Sequence, residues 1–169
     1  MAKHRFLWLF IVLYLPLLLP TPVASQQAVL PIRISTPSAE VLAEQELEIE
    51  QQIVDLVNAY RKQHQLKPLE INLLANRIAK AHSQNMAEKK VAVGHDGFNQ
   101  RADKLERLLD YNNSCSENVA MGYLNAETVV KGWIASAVHQ KNIVGNYSKT
   151  GIGVRISAEG VLYFTQVFY

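Results

Sequence analysis

The 169-residue sequence predicts an α/β protein folded as a three-layer α/β/α sandwich. Two observations carry this. The final segment, Val161 to Tyr169, is apolar on both faces: Val161, Tyr163 and Val167 on one, Leu162, Phe164 and Phe168 on the other. A strand of that kind is central and covered on both sides. Segments with helical apolar spacing precede the strands and lie between them, which supplies helices for both covers. Residues 26–169 are enough for one hydrophobic core and too few for two. The lone cysteine, Cys115, rules out an internal disulfide, so the core must hold the domain unaided.

The chain opens on the basic residues Lys3, His4 and Arg5. An apolar run from Phe6 to Leu19, broken by Pro16, and the small residues Val23, Ala24 and Ser25 follow. This is the pattern of an export signal over residues 1–25, cleaved after Ser25. The rival is a retained anchor, but the run is short for a bilayer span of about 20 residues. The expected location is therefore secreted, periplasmic or on the cell envelope, with no membrane span after cleavage. Without Lys3 and Arg5 the chain carries 15 basic against 15 acidic residues. With no clustered basic face, a nucleic-acid partner is excluded. Nothing in the sequence fixes an oligomeric state.

Residues 26–46 read as a flexible tether or helical extension. Gln26 to Ser38 is the Pro/Ser/Thr-containing tether, and Glu40 to Gln52 is a solvated extension of the first helix or a disordered run. The folded domain is expected over residues 47–169. Ile53, Leu56, Val57, Tyr60 and His64 recur at helical spacing, giving a first helix up to about Gln65, with Pro68 in the loop beyond. A second helix is expected from Asn72 to Lys89, with Leu74, Ile78, Ala81, His82, Asn85 and Met86 inward. Gly94 and Gly97 bracket a tight loop around His95, and Asn99 to Leu109 is a third, shorter helix. Ser116 to Met121 is a short strand. Ala126 to Val144 is a fourth helix with the stripe Val129, Val130, Trp133, Ile134 and Ala137, stopped by Gly145. Ile152, Val154 and Ile156 alternate as a strand that turns at Ala158-Glu159-Gly160 into the last one.

Chemistry concentrates at four positions. Glycines beside His95 permit φ > 0 and leave room around the imidazole; the plainer alternative is a turn in which His95 caps a helix. Glu117 opens a small apolar strand, so it either faces water or has a cation or His for company, since lone burial is costly. Ser136 and His139 are three residues apart on one predicted helix, hence neighbours on one face. They are either a nucleophile and its base or a packing serine and a histidine bonded to backbone. Two imidazoles and one carboxylate together could hold a divalent metal or form an acid/base cluster. His64 and His82 read as structural. Cys115 reads as a small semi-buried residue, because the nearby Glu117 raises rather than lowers a thiol pKa. Asn112-Asn113-Ser114 and Asn146-Tyr147-Ser148 match the glycosylation acceptor pattern.

Five stretches together resemble one family. They are Val57-Asn58-Ala59-Tyr60-Arg61 with Leu66-Lys67-Pro68-Leu69; Gly94-His95-Asp96-Gly97-Phe98; and Ser116-Glu117-Asn118-Val119-Ala120. The others are the Trp133, Ser136, His139, Asn142 helix, and Gly151-Ile152-Gly153-Val154 with Phe164-Thr165-Gln166-Val167-Phe168. In this order they resemble the CAP superfamily of cysteine-rich secretory, antigen-five and pathogenesis-related proteins, over about residues 50–169. The single cysteine and the Ser-x-x-His-x-x-Asn helix are similar to its bacterial branch.

The resemblance implies the SCP-domain type of α/β/α sandwich, with a central cavity. In the eukaryotic branch two His and two Glu line that cavity and can bind a divalent metal. His95 and Glu117 match the first His and first Glu. The second Glu position falls at Ser136 and the second His at Tyr163. His139 matches the helix His of bacterial members, which commonly have Pro-Gly where this chain has Ala137-Val138. The implied metal set is His95, Glu117 and His139 holding Zn²⁺ or another divalent ion, although such a cavity also stands empty. The implied function is a binding module for an apolar small molecule or a cell-envelope component. The alternative is an extracellular hydrolase, with catalytic candidates His95, Glu117, Ser136 and His139. It would use a metal-activated water, or Ser136, His139 and Glu117 as nucleophile, base and orienter. A third reading is a structural envelope protein with a vestigial cavity.

Overall fold

The computed structural model describes residues 38–109 and 114–169. The expected signal segment, the tether before Ser38 and both asparagines of the Asn112-Asn113-Ser114 acceptor lie outside the described residues. Asn146 of the other acceptor is exposed.

In chain order the elements are α1 (Ala39–Gln63), β1 (Glu70–Ile71), α2 (Leu73–Ala87), α3 (Phe98–Leu109), β2 (Ser116–Met121), α4 (Ala126–Ala135), α5 (Ala137–Ile143), β3 (Lys149–Ile156) and β4 (Leu162–Phe168). The strands form one sheet in the order β1-β3-β4-β2. β4 is antiparallel to both neighbours, and the two-residue β1 pairs parallel with the start of β3. The doubly apolar last strand is thus central. Its even residues Phe164 and Phe168 join Ile152, Val154, Ile53, Val57, Val129 and Trp133 in the core under α1 and α4. On the opposite face Val167 and Tyr169 pack with Ala75, Ile78 and Leu105 of α2 and α3. Tyr163 packs there with Met86 and Val119.

The first helix starts well before the expected boundary at residue 47. Ser38 caps it by accepting from Val41 N, and Glu40 sits in its first turn, where the dipole favours an acid. The Glu40 to Gln52 run is therefore helix and not disordered. Nor is it wholly solvated: Glu46 and Glu50 are 3% and 5% exposed.

The inner face of α2 holds Ile78, His82 and Met86 as expected but differs elsewhere. Ala81 is exposed and Leu74 only partly covered, while Ala75, Ala79 and Ser83 face the sheet. The cause lies in β3. A Cβ at Gly151 would meet the Ala75 backbone at 2.3 Å, and one at Gly153 would meet Lys80 N at 2.1 Å. The helix lies directly on this glycine backbone, so only small side chains fit beneath it. Ser83 Oγ donates to Gly153 O at 2.8 Å across that contact.

The expected continuous helix from Ala126 to Val144 is broken. Asn125 and Thr128 form a reciprocal capping box at its start, but Ser136 takes extended angles (φ −97°, ψ 116°) and separates α4 from α5. The break aims α5 at β2: Asn118 Nδ2 donates to His139 O at 3.1 Å, and Asn142 Nδ2 donates to Glu117 O at 3.2 Å and Asn118 Oδ1 at 2.8 Å.

Candidate functional site

The site forms where the His95 loop, α3, β2 and α5 meet. Gly94 and Gly97 take φ of +151° and +75°, conformations that side chains disfavour, and turn the chain so that His95 stands half out in solvent. His82 holds the start of this loop: its ring Nε2–H donates to Gly94 O at 2.8 Å. Burial, foremost, keeps the His82 pKa below the usual imidazole value. His82 is thus structural, as expected. His64 is the C-cap residue of α1, its Nδ1–H donating to Tyr60 O.

Glu117 begins a strand and is buried, and it has both kinds of company the sequence argument required. His95 Nδ1–H donates to its Oε1 at 3.0 Å. Arg101, from the first turn of α3, forks onto the same carboxylate: Nε donates to Oε2 and Nη2 to Oε1, both at 2.7 Å. The remaining Nη1 donates to Asp96 O at 2.8 Å, tying the loop to the same guanidinium. Two parallel charge-assisted bonds of this geometry are the strongest pairing a buried carboxylate finds in a protein. Sequence reasoning missed Arg101. The signal available was the cost of a lone buried carboxylate, and Arg101 is the first cation after the loop.

His139 lies on α5, partly covered. Burial, and secondarily the nearby His95, push its pKa below the usual imidazole value. Ser136 is not on a shared helical face with it: Ser136 is the junction residue and its side chain makes no capping bond. The expected nucleophile–base pair is therefore not formed by helical spacing, and no hydrogen bond joins Ser136 to His139 among the described residues. The Cys115 thiol is pushed up to about 11, chiefly by burial and then by Glu117, so it is no nucleophile at neutral pH.

The expected metal set does not fit this arrangement. Both Glu117 oxygens are occupied by a guanidinium, whose charge opposes that of a divalent ion. Among the described residues no group of three or more His, Cys, Asp or Glu converges as a metal site.

Beside the His95, Glu117 and Arg101 cluster runs a groove of about 350 Å³ between α2 and α3. The two helices are antiparallel: Leu105 packs at the Ala75 and Ile78 end, and Arg101 lies near His82. Leu74, Ile78 and Ala81 supply apolar surface, and the Arg101 stem forms part of the wall while its head holds Glu117.

The sequence profile of the cysteine-rich secretory protein family, CAP, matches residues 54–168. The chain belongs to this family. Among curated relatives, YkwD of Bacillus subtilis is 34% identical over 107 residues, covering 62% of this chain and 41% of that protein. The membrane protein YlbC of the same organism is 32% identical over 123 residues, covering 70% and 34%. The chain thus spans less than half the length of these relatives. Among solved structures, an extracellular SCP-domain protein of Bacillus anthracis is 25% identical with a TM-score of 0.66, covering 79% of this chain and 44% of that one. A cysteine-rich secretory protein of Staphylococcus aureus, 22% identical over 74% of this chain and 39% of its own, shares the fold at a TM-score of 0.61. The bacterial neighbours and the four-stranded, doubly covered sheet agree with a bacterial-type CAP sandwich.

Proposed function

We propose that this CAP domain is an extracellular binding module that takes an apolar ligand or cell-envelope component in the α2–α3 groove beside the His95, Glu117 and Arg101 cluster. The observation that supports this most is the two-pronged pairing of Arg101 with Glu117. The buried Glu117 carboxylate is held by a guanidinium, which opposes a role as metal ligand or free base and favours recognition. An extracellular setting is supported by the basic, apolar and small residues of the first 25 positions and by the B. anthracis relative described as extracellular. Among the described residues no helix is long and apolar enough to cross a membrane.

The test is a titration of the full chain with N-phenyl-1-naphthylamine, a neutral apolar fluorophore, against Ala81→Trp. Ala81 is exposed and lines the groove, so the indole fills the groove without disturbing the core. The saturable part of the fluorescence rise is expected in the native chain and lost in the variant. An identical response from both, or no saturable response from either, overturns an apolar ligand as the occupant of the groove.

One contact favours a hydrolase as the second reading. His95 donates Nδ1–H to Glu117 and its side chain is half exposed, which leaves Nε2 as the ring nitrogen available for general-base work. Turnover of a p-nitrophenyl ester that disappears in His95→Ala would put this reading first.

A further inference from the structure

We propose that the α2–α3 groove accommodates an extended acidic peptide segment of a partner protein. This deepens the binding reading of the same groove and rests on it.

Charge is the first argument. Arg77 on α2 and Lys104 on α3 both line the groove, both are exposed, and no Asp or Glu lines it. Neither cation has an ion-pair partner among the described residues, whereas the nearby Glu117 is already answered by Arg101. Because α2 and α3 are antiparallel, the two cations fall at the same end, beside Leu74 and Ile78. An anionic side chain flanked by apolar ones complements that end.

Polarity along the groove is the second argument. At the other end the amide residues Asn85 and Gln100 line the groove. An acyl chain would desolvate both amides without returning a hydrogen bond, which is costly. A peptide backbone offers each amide a donor and an acceptor.

Length is the third. Leu74 to Asn85 spans eleven residues of helix, about 16 Å at 1.5 Å per residue. That is the reach of about five extended residues at about 3.3 Å each. The apolar middle, Ile78 and Ala81, then meets every second side chain.

The experiment is fluorescence polarisation of two labelled, end-blocked pentapeptides on the full chain. One alternates leucine with glutamate and the other leucine with lysine. The glutamate peptide should bind at least about ten-fold more tightly. Arg77→Glu combined with Lys104→Glu, both surface changes, should erase or invert that preference. Lys131→Glu, exposed on α4 in the opposite layer, should leave it unchanged. Equal binding of the two peptides, or a preference that survives the double variant, overturns the proposal. Laurate bound in an Arg77- and Lys104-dependent way while neither peptide binds overturns it too, and assigns the groove to an acyl anion. If the peptides are not discriminated but N-phenyl-1-naphthylamine still binds in an Ala81-dependent way, the peptide proposal fails and the binding reading stands. If no ligand binds at all, the binding reading itself fails.

Discussion

At the scale of single residues, this fold is organised by the satisfaction of buried charge and backbone. Arg61 illustrates it. The side chain is 2% exposed and, among the described residues, meets no carboxylate. Instead Nε donates to Lys67 O, Nη1 to Ile143 O and Gly145 O, and Nη2 to Tyr147 O, all within 2.8–3.0 Å. Burial lowers its pKa, yet four carbonyl dipoles, including that of the last residue of α5, hold the cation in place. One residue group thus ties α1, the loop after it, and the approach to β3. Its partner in the same motif, Asn58, clasps Leu69 through both backbone groups, Nδ2 to Leu69 O and Leu69 N to Oδ1. Arg61→Ala should destabilise the domain by about 3 kcal/mol, because it removes the cation that satisfies four carbonyls at once. Arg61→Lys, which keeps the charge but reaches fewer oxygens, should fall between the two. Urea unfolding midpoints check this, and an unchanged midpoint in Arg61→Ala would contradict it. The motif was visible in the sequence, but its work was not: carbonyls are present at every position and carry no sequence mark. His95 and Glu117 were legible for the opposite reason, being rare residue types in a glycine loop and an apolar strand.

At the scale of elements, the least legible feature is how β3 is closed along its outer edge. β1 covers only Lys149 and Thr150. Beyond them every second N–H of β3 points away from β4 and needs an acceptor. Side chains provide it: Ile152 N donates to Asn76 Oδ1, Val154 N to Glu50 Oε1 and Ile156 N to Glu46 Oε1, at 2.9–3.0 Å. Residues i and i+4 of a helix are about 6 Å apart along its axis, and residues i and i+2 of a strand about 6.6 Å, so two glutamates one turn apart match two successive outward N–H groups. Lys80 bridges both carboxylates and Arg155 pairs with Glu46. The sequence showed a polar helical run and suggested solvent, since edge capping depends on a partner some hundred residues away. Burial raises the Glu50 pKa, against the lowering influence of Val154 N–H and Lys80. The folded state therefore keeps this proton at pH values where the unfolded chain, near the ordinary 4.5, has released it. Stability contributed by Glu50 is thus present at low pH and falls as pH rises through the interval between 4.5 and the raised value. Glu50→Gln keeps an acceptor for Val154 N but has no such titration. Measured from pH 4 to 8, the stability of the native chain relative to Glu50→Gln should decline with pH. A difference that grows with pH would refute this account of the buried carboxylate.

At the scale of the whole molecule, the sandwich was legible because its cause is global and repetitive: a last strand apolar on both faces can sit only in the middle. The extent of the folding unit was harder to read, because apolar periodicity strengthens only at Ile53 and the family match itself begins at residue 54. Ser38 to Gln52 adds few apolar residues to either core, yet it carries the cap of α1 and the two carboxylates that finish the sheet. A chain trimmed to begin at Ile53 would keep Ile53, Val54 and Val57 in the main core. It would lose both acceptors, leave Lys80 and Arg155 without their acids, and expose the Val154 and Ile156 N–H groups on an open strand edge. Open edges of this kind pair with other copies. The trimmed chain should therefore sediment as larger species and unfold at lower temperature than a chain beginning at Thr36, which retains the whole helix. Identical sedimentation and thermal unfolding of the two would show that the sheet closes without its glutamates, and would return the boundary of the domain to where the apolar pattern alone puts it.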